Sequence, residues 1–143
     1  MSEWESKLRE ALKLGGLSKC DVNAVDCYVL AGEPSQYDIV LSSMCLEAAC
    51  TTYQSFKATI QRLSRVLKEG GFLVLVHGRN QNYYTVNGRR FFILSLNEKH
   101  VTEALQEAGF IDVGIVSFND TPDEEADDDG VMVVTAYKSK LPV

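Results

Sequence analysis

Residues 36–76 read QYDIVLSSMCLEAAC, TTYQSFKATIQRLSRVL and KEGGFLVLV in turn. An apolar run leads into a polar turn with one carboxylate, an amphipathic helix follows, and a Gly-Gly turn precedes a second apolar run. Parallel strands that are buried on both faces give such continuous apolar runs. The pattern therefore predicts an α/β fold, with strands at residues 37–41 and 72–76 side by side and joined by a right-handed helical crossover.

The polar turn after the first strand is where we expect a ligand site. Ligands of parallel sheets bind outside the carboxyl ends of the strands. Ser42, Ser43, Cys45 and Glu47 are therefore expected close to a ligand. The residues alone also allow a second interpretation of Glu47, as a carboxylate that satisfies backbone donors in the first turn of a helix.

Composition limits the class of protein. The 143 residues are enough for one domain with a real core, and 45% hydrophobic with 24% charged residues is typical of a globular chain. The net charge of −6 argues against nucleic acid and anionic membranes as partners. No stretch approaches the roughly 18 apolar residues of a membrane span. The N-terminal MSEWESKLREALK is interpreted as a charged helix rather than a signal peptide.

The cysteines and histidines predict no metal site. No pair of cysteines has the C-x-x-C spacing, and with no secretory signal we expect reduced thiols in the cytoplasm. His77 and His100 are not at zinc-ligand spacing from them. Cysteines 45 and 50 are interpreted as packing residues, since no activating partner is visible. The four cysteines are Cys20, Cys27, Cys45 and Cys50.

The N-terminal segment predicts a helix and a short strand. Ser2 and Glu5 form a capping box that starts the helix. A brief strand at residues 17–20 would place Asp21 and Val22 at its carboxyl end, and a connection follows at 23–35. Asp21 can also be explained as the cap of a turn.

The second half of the chain predicts a hairpin and a further helix. Residues 82–96 read as a β-hairpin around an Asn-Gly turn, in which Tyr83 and Tyr84 could be ordinary cross-strand residues. Ser95 and Glu98 predict a capping box, and His100 is expected on the solvated face of the helix.

Two strands are predicted to close the chain as an antiparallel pair, at residues 110–118 and 131–137. The acidic loop between them, residues 120–129, is interpreted as a solvated tip. It lacks the ligand spacing of a calcium-binding EF-hand loop.

With these units in place, the chain resembles the C-terminal portion of a class I S-adenosylmethionine-dependent methyltransferase. More narrowly, it resembles the nicotinamide, phenylethanolamine, indolethylamine and thioether methyltransferases. The specific strings are YDIVLSSMCLEAAC and YYTVNGRRF, and the supporting ones are WESKLREALK…CDV, LKEGGFLVLV, EALQEAGF and VMVVTAYK. The resemblance implies that residues 1–143 form a single partial methyltransferase domain. Its Rossmann-like sheet would be incomplete, with an antiparallel strand pair at the C-terminus.

The resemblance also implies roles for individual residues. On the cofactor side, Asp21 would bind the adenine amino group, Val22 would pack on the ring, and Ser43 would line the S-adenosylmethionine pocket. On the acceptor side, the family places its acid at Glu47 near the substrate's amine or amide, where it is the candidate catalytic residue. The further candidate substrate-binding residues are His77, Tyr84 and Ile93.

Two departures from the family pattern qualify these roles. The first strands, the Gly-rich cofactor turn, the acid that binds the ribose and the N-terminal lid are not found, so cofactor binding by this chain alone is expected to be weak or absent. His77 stands where some members have an acid that contacts the substrate. Because histidine offers no fixed negative charge, the substrate cannot be taken from any one member.

Three functions follow as hypotheses. The first is an N-methyltransferase of small-molecule amines or pyridines that retains the acceptor half of its site. The second is an inactive truncated remnant that acts as an interaction module and pairs through an exposed sheet edge. The third is a small-molecule binder that uses the same crevice without chemistry.

Overall fold

The computed structural model describes residues 2–24, 37–121 and 125–140 as four helices and six strands. In chain order they are α1 (Glu3–Gly15), β1 (Tyr37–Ser43), α2 (Leu46–Ala49), α3 (Tyr53–Val66), β2 (Leu67–Gly78), β3 (Tyr83–Val86), β4 (Arg89–Phe92), α4 (Glu98–Glu107), β5 (Phe110–Asn119) and β6 (Gly130–Lys138). Cys27 and most of the predicted connection at 23–35 lie outside the described residues, as do residues 122–124 of the acidic loop.

A four-stranded sheet in the order β1-β2-β6-β5 forms the centre of the described part. β1 pairs with β2 in parallel, with Ile39 opposite Phe72 and Ser43 opposite Val76. β6 is antiparallel to both β2 and β5, so β1, β2 and β5 run in one direction and β6 in the other. The predicted adjacent strands and the antiparallel C-terminal pair are both confirmed.

One face of this sheet carries the core. Alternate residues of β2 are buried, and α3, the amphipathic helix that the sequence predicted, presents Phe56, Ile60 and Leu63 to the same core. α4 adds a second buried helical face. Burying each large apolar side chain stabilises the fold by about 1.5–3 kcal/mol. Besides the α3 residues, the core includes Leu73, Leu75, Val101, Leu105, Met132 and Val134.

The other face of the sheet is more open. Ile39 and Leu41 of β1 are 62% and 66% exposed, and the amphipathic helix α1 buries none of its residues. Among the strands that the structure describes, β1 also lies at an edge of the sheet. Within residues 2–24, 37–121 and 125–140, no helix is long and apolar enough to cross a membrane.

The hairpin forms around the predicted turn. Asn87 and Gly88 have φ of 50° and 74°, which is the geometry of a two-residue type I′ turn. Tyr83 packs edge-to-face against Phe92 across the strands, with ring centroids 6.4 Å apart, so the cross-strand interpretation of Tyr83 is confirmed.

The acidic loop is not a solvated tip along its whole length, and that prediction was wrong. The carboxylate of Asp127 accepts hydrogen bonds from the Asn82 backbone (2.8 Å), the Asn82 side chain (2.9 Å) and the Tyr83 backbone (3.1 Å). The backbone N–H of Thr85 donates to the carbonyl of Glu125 at 2.6 Å. The loop therefore anchors the hairpin, because the first strand of the hairpin offers backbone donors that a carboxylate satisfies.

Three local predictions were also wrong. Residues 17–20 form no strand, since no other described strand pairs with them and Leu17 is 85% exposed. The N-cap of α4 is Asn97, whose side chain accepts from the His100 backbone at 3.0 Å, because Ser95 lies two residues too early for that bond. His100 is half-buried rather than solvated, with its ring 5.1 Å from that of Tyr53.

Candidate functional site

The turn after β1 fixes the position of Glu47. Met44 adopts a left-handed φ of 48°, and its N–H donates to the Val76 carbonyl at 2.9 Å. The exposed Cys45 then occupies the N-cap of α2, whose second residue is Glu47. The carboxylate therefore lies beyond the carboxyl end of β1, as the sequence predicted, while His77 lies one residue before the end of β2.

Glu47 and His77 form a buried pair. Glu47 is 2% exposed and His77 0% exposed, and His77 Nδ1 lies 2.8 Å from Glu47 Oε2. The ring of Phe56 meets the imidazole edge-to-face, with centroids 5.8 Å apart. A buried carboxylate is tolerated when it is hydrogen-bonded, and here the partner is His77. The structure thus favours a specific side-chain contact for Glu47 over the simple first-turn interpretation.

One polar atom of each partner is left over. Among the described residues, neither Glu47 Oε1 nor His77 Nε2 has a hydrogen-bond partner. Leaving a buried acceptor unsatisfied costs about 1–3 kcal/mol, and more for a charged group. An orphaned carboxylate oxygen of this kind is ready to accept a hydrogen bond from a ligand.

Glu47 lines a cavity of about 340 Å³. Three of the predicted acceptor-side residues meet there, namely Glu47, Tyr84 and Ile93. His77 does not line it, so the structure places His77 behind Glu47 rather than at the cavity wall. The remaining lining residues are Met44, Ala48, Gly78, Gln81, Asp128 and Val131.

The hairpin and the acidic loop form the second wall of this cavity. Tyr84 comes from β3, where its ring stacks on Phe91 at 5.5 Å, so it serves both as a cross-strand residue and as a wall residue. Asp128 and Val131 come from the segment before and at the start of β6. Sequence reasoning placed Tyr84 on the acceptor side but missed Asp128 and Val131, for which the one available signal was the acidic loop itself.

Gly78 ends β2 at the floor of the cavity. A Cβ at this position would collide with the side chain of Gln81. Glycine therefore allows Gln81 to fold back over the end of the strand, where its Nε2 donates to the Tyr83 carbonyl at 3.2 Å.

Hydrogen bonds hold two carboxylates of the loop beside the cavity. Burial alone would raise the pKa of Asp127, but the hydrogen bonds from the Asn82 side chain and from the Asn82 and Tyr83 backbones hold it below its usual value. Asp129 is tied to the same region, because its carboxylate accepts from the Asn80 side chain at 2.7 Å. Within the described residues, no cluster of three or more metal-ligating side chains is present.

The three predicted cofactor-side residues lie outside this cavity. Asp21 is exposed and its Oδ1 accepts from the Asn23 backbone at 3.0 Å, as in the turn-cap interpretation. The Val22 side chain packs against the core, while its carbonyl accepts from the Arg62 guanidinium at 2.7 and 3.0 Å. Ser43 is exposed at the end of β1.

The segment that carries Asp21 and Val22 is held near the end of β1. The Asn23 side chain donates to the carbonyl of Ala49 at 2.7 Å, and the Thr59 hydroxyl donates to the Val22 carbonyl at 3.3 Å. These bonds attach the segment to α2 and α3, the two helices that follow β1.

Comparison with known proteins gives one family. The model of the NNMT/PNMT/TEMT family matches residues 1–139. Nicotinamide N-methyltransferase of Homo sapiens is 32% identical over 145 residues, which cover 99% of this chain and 53% of that protein. The Sus scrofa protein of the same name is 38% identical over 110 residues, or 76% and 40% of the two chains. The chain thus spans about half the length of the curated relatives it matches.

Solved structures agree on the fold. A putative S-adenosylmethionine-dependent methyltransferase from Listeria monocytogenes superposes with a TM-score of 0.61 at 16% identity, covering 95% of this chain and 77% of that one. A 1,6-didemethyltoxoflavin-N1-methyltransferase from Burkholderia thailandensis gives 0.57 at 20% identity, covering 94% and 57%. The sheet is therefore the Rossmann-like sheet of these methyltransferases, and the chain belongs to the NNMT/PNMT/TEMT family.

Proposed function

We propose that this chain carries the acceptor half of an S-adenosylmethionine-dependent N-methyltransferase of small-molecule amines or pyridines. The observation that carries the proposal is the Glu47 carboxylate, which is buried, lines a cavity and keeps one oxygen without a partner. The cavity lies where ligands of this fold class bind, and its volume is near the lower end of the range of about 300–1,000 Å³ for small-molecule sites.

The lining of the cavity suits a small aromatic acceptor. Met44, Tyr84, Ile93 and Val131 offer apolar and aromatic surface, and Glu47 offers a single acceptor oxygen. A carboxylate in this position orients an N–H group and can receive the proton that an amine loses. Orientation is the main contribution that the protein can make to an in-line transfer.

The cofactor-side residues fit part of S-adenosylmethionine. The exposed carboxylate of Asp21 can accept from an exocyclic amino group, and Val22 and Ser43 offer an apolar surface and a hydroxyl at the end of β1. When bound, the cofactor would supply the methyl group from its sulfonium. The residues of this chain would hold the adenine side and position the acceptor nitrogen.

The relatives indicate the range of acceptors to test. Curated relatives bear the names nicotinamide, indolethylamine and phenylethanolamine N-methyltransferase. The assay is transfer of a labelled methyl group to nicotinamide and to a panel of aromatic amines. It uses the 143-residue chain and a chimeric protein in which the N-terminal half of the human nicotinamide relative precedes it. We expect transfer by the chimeric protein, and a chimera that binds cofactor but methylates none of the panel would contradict the proposal.

A second candidate function is pairing with another copy through the outer edge of β1. An edge strand offers unpaired backbone donors and acceptors, and here it also exposes Ile39 and Leu41. Sedimentation of the 143-residue chain tests this candidate, with Leu41→Lys as the disrupting variant. A monomer at every concentration would contradict it.

We also propose a cytosolic location. The free thiols of Cys45 and Cys50 support it, because disulfides are rare in that compartment. Fractionation of cells that express the protein tests this proposal.

A further inference from the structure

We propose that His77 is the positioning residue of this site: its Nδ1–H donates to Glu47 Oε2 and so presents Oε1 to the cavity, which makes the site selective for acceptors that offer an ammonium or N–H group. This inference rests on the proposed function only in taking the ligand to be a methyl acceptor. The site itself rests on the structure.

The surroundings of the two ring nitrogens decide which one of them carries the proton of His77. Nδ1 lies 2.8 Å from Glu47 Oε2, whereas Nε2 is buried without a partner among the described residues. A buried N–H that has no acceptor loses its hydrogen bond with water and gains nothing in return. The favoured arrangement is therefore a neutral ring with its proton on Nδ1, donated to Oε2.

The net charge of the Glu47–His77 pair follows from this arrangement. A neutral imidazole beside a carboxylate leaves one negative charge, and a doubly protonated ring would leave none. The Phe56 ring on α3 meets the imidazole edge-to-face, and Met132 on β6 lies opposite His77 across the ladder. Neither of these neighbours carries a charge, and the Glu47 carboxylate on α2 is hydrogen-bonded to the ring.

The unpartnered oxygen of Glu47 determines what the cavity recognises. Glu47 Oε1 is at least nine-tenths buried and unpartnered, and its residue lines the cavity. A ligand that donates a charge-assisted hydrogen bond satisfies this oxygen, and a ligand of equal shape without a donor leaves it unsatisfied. Asp128, a second acid in the lining, favours a cationic ligand as well.

The tautomer is tested by nitrogen NMR of the 143-residue chain. The sequence has two histidines, so a His100→Asn background leaves His77 as the single ring signal. We expect a protonated Nδ1 and an unprotonated Nε2 near neutral pH. A proton on Nε2, alone or together with Nδ1, would overturn the inference.

Selectivity is tested with two probes of the same shape, benzylammonium and ethylbenzene. We expect benzylammonium to bind at least about tenfold more tightly and to shift the His77 ring signals. Glu47→Gln should remove most of this preference, whereas Glu69→Gln, a change at an exposed position of β2, should keep it. Equal binding of the two probes, or binding of neither at millimolar concentration, would overturn the inference.

Two substitutions separate positioning from folding. His77→Leu leaves a buried carboxylate unpaired and is expected to destabilise the fold, so His77→Asn, which can keep a donor near Nδ1, is the informative variant. It should fold and retain part of the benzylammonium preference. A folded His77→Asn chain with the full preference would overturn the positioning role. These readouts do not require methyl transfer, so failure of the proposed function and failure of this inference are distinguishable.

Discussion

The backbone N–H of Leu94 donates to the carbonyl of Glu47 at 2.8 Å. Leu94 directly follows Ile93, whose own N–H donates to the Asn82 carbonyl at 2.9 Å. The hairpin and the helix that carries the buried carboxylate are therefore fixed to each other by backbone hydrogen bonds. A change in the position of the hairpin should therefore also shift the backbone at Glu47.

Glu47→Gln should separate acceptor binding from cofactor binding. In the chimeric protein with a restored N-terminal half, we expect catalytic efficiency to fall about tenfold to a thousandfold, because one charge-assisted contact is lost. Cofactor affinity should stay nearly unchanged, since Asp21, Val22 and Ser43 lie outside the cavity. Steady-state kinetics with several amines measure both quantities, and an unchanged rate would return Glu47 to a structural role.

Asp127→Asn should weaken the anchor of the hairpin in a pH-dependent way. Hydrogen bonds lower the pKa of Asp127 in the folded state. Its contribution is therefore present above the unfolded-chain value of about 3.9 and is lost as pH falls through the folded-state value. At neutral pH we expect a loss on the order of 1 kcal/mol for this partly exposed group.

Urea unfolding of wild type and Asp127→Asn between neutral and acidic pH measures this difference. The gap between the two chains should close at acidic pH. Asp38→Asn is the matched control, because that carboxylate is exposed and pairs with Lys68 at 2.9 Å. A gap that stays constant as the pH falls would show that the Asp127 charge is not the cause.

Gly78→Ala should disturb the floor of the cavity. The added methyl group meets the Gln81 side chain, so we expect a loss of about 1–3 kcal/mol from overpacking. Shortening the neighbour in the double variant Gly78→Ala with Gln81→Ala should recover much of it. Thermal unfolding of the two single variants and the double variant gives the coupling energy. Purely additive losses would mean that the two side chains do not compete for space.

Phe56→Ala should be the most damaging of these changes to stability. Phe56 is fully buried, and its ring also packs against His77. A truncation of this size in a core costs about 3–5 kcal/mol. Phe92→Ala removes the same side chain where it is 77% exposed, so it should cost no more than about 1 kcal/mol, the scale of its cross-strand contact with Tyr83. Equal losses in denaturant unfolding would contradict the placement of Phe56.

The 143-residue chain alone should bind S-adenosylmethionine weakly or not at all. In residues 2–24, 37–121 and 125–140, no Gly-rich turn joins a strand to a helix N-terminus, and the candidate contacts reduce to Asp21, Val22 and Ser43. Each missing hydrogen bond weakens binding by about 0.5–1.5 kcal/mol. Calorimetric titration measures the affinity, and a stoichiometric complex of micromolar or tighter affinity would refute this prediction.

Local sequence patterns predicted the fold well because all the residues of each pattern lie within a single helix or hairpin. The spacing of Phe56, Ile60 and Leu63 specifies one face of a helix, and the Asn-Gly pair specifies a type I′ turn. The error at the start of α4 was also local, since Ser95 and Asn97 are both good caps and two residues separate them.

The site was predicted in part, and the missing part is long-range. The position of Glu47 follows from the end of β1, but its contact with His77 joins residues 30 apart in the chain. A sequence does not show which strand-end side chain turns inward. Gln81 and Asp128 reach the cavity because the acidic loop folds back onto the hairpin, and that contact has no periodic signature in the sequence.

The position of β6 between β2 and β5 has a consequence for the order of synthesis. The ribosome releases β5 before its only neighbour in the described sheet, so β5 has no strand to pair with until Gly130–Lys138 emerges. The last of the described strands to be made thus joins β5 to β2, and its pairing with β2 links residues more than 50 positions apart in the chain. A stop codon before Gly130 would release a chain in which β5 lacks the strand that connects it to β2.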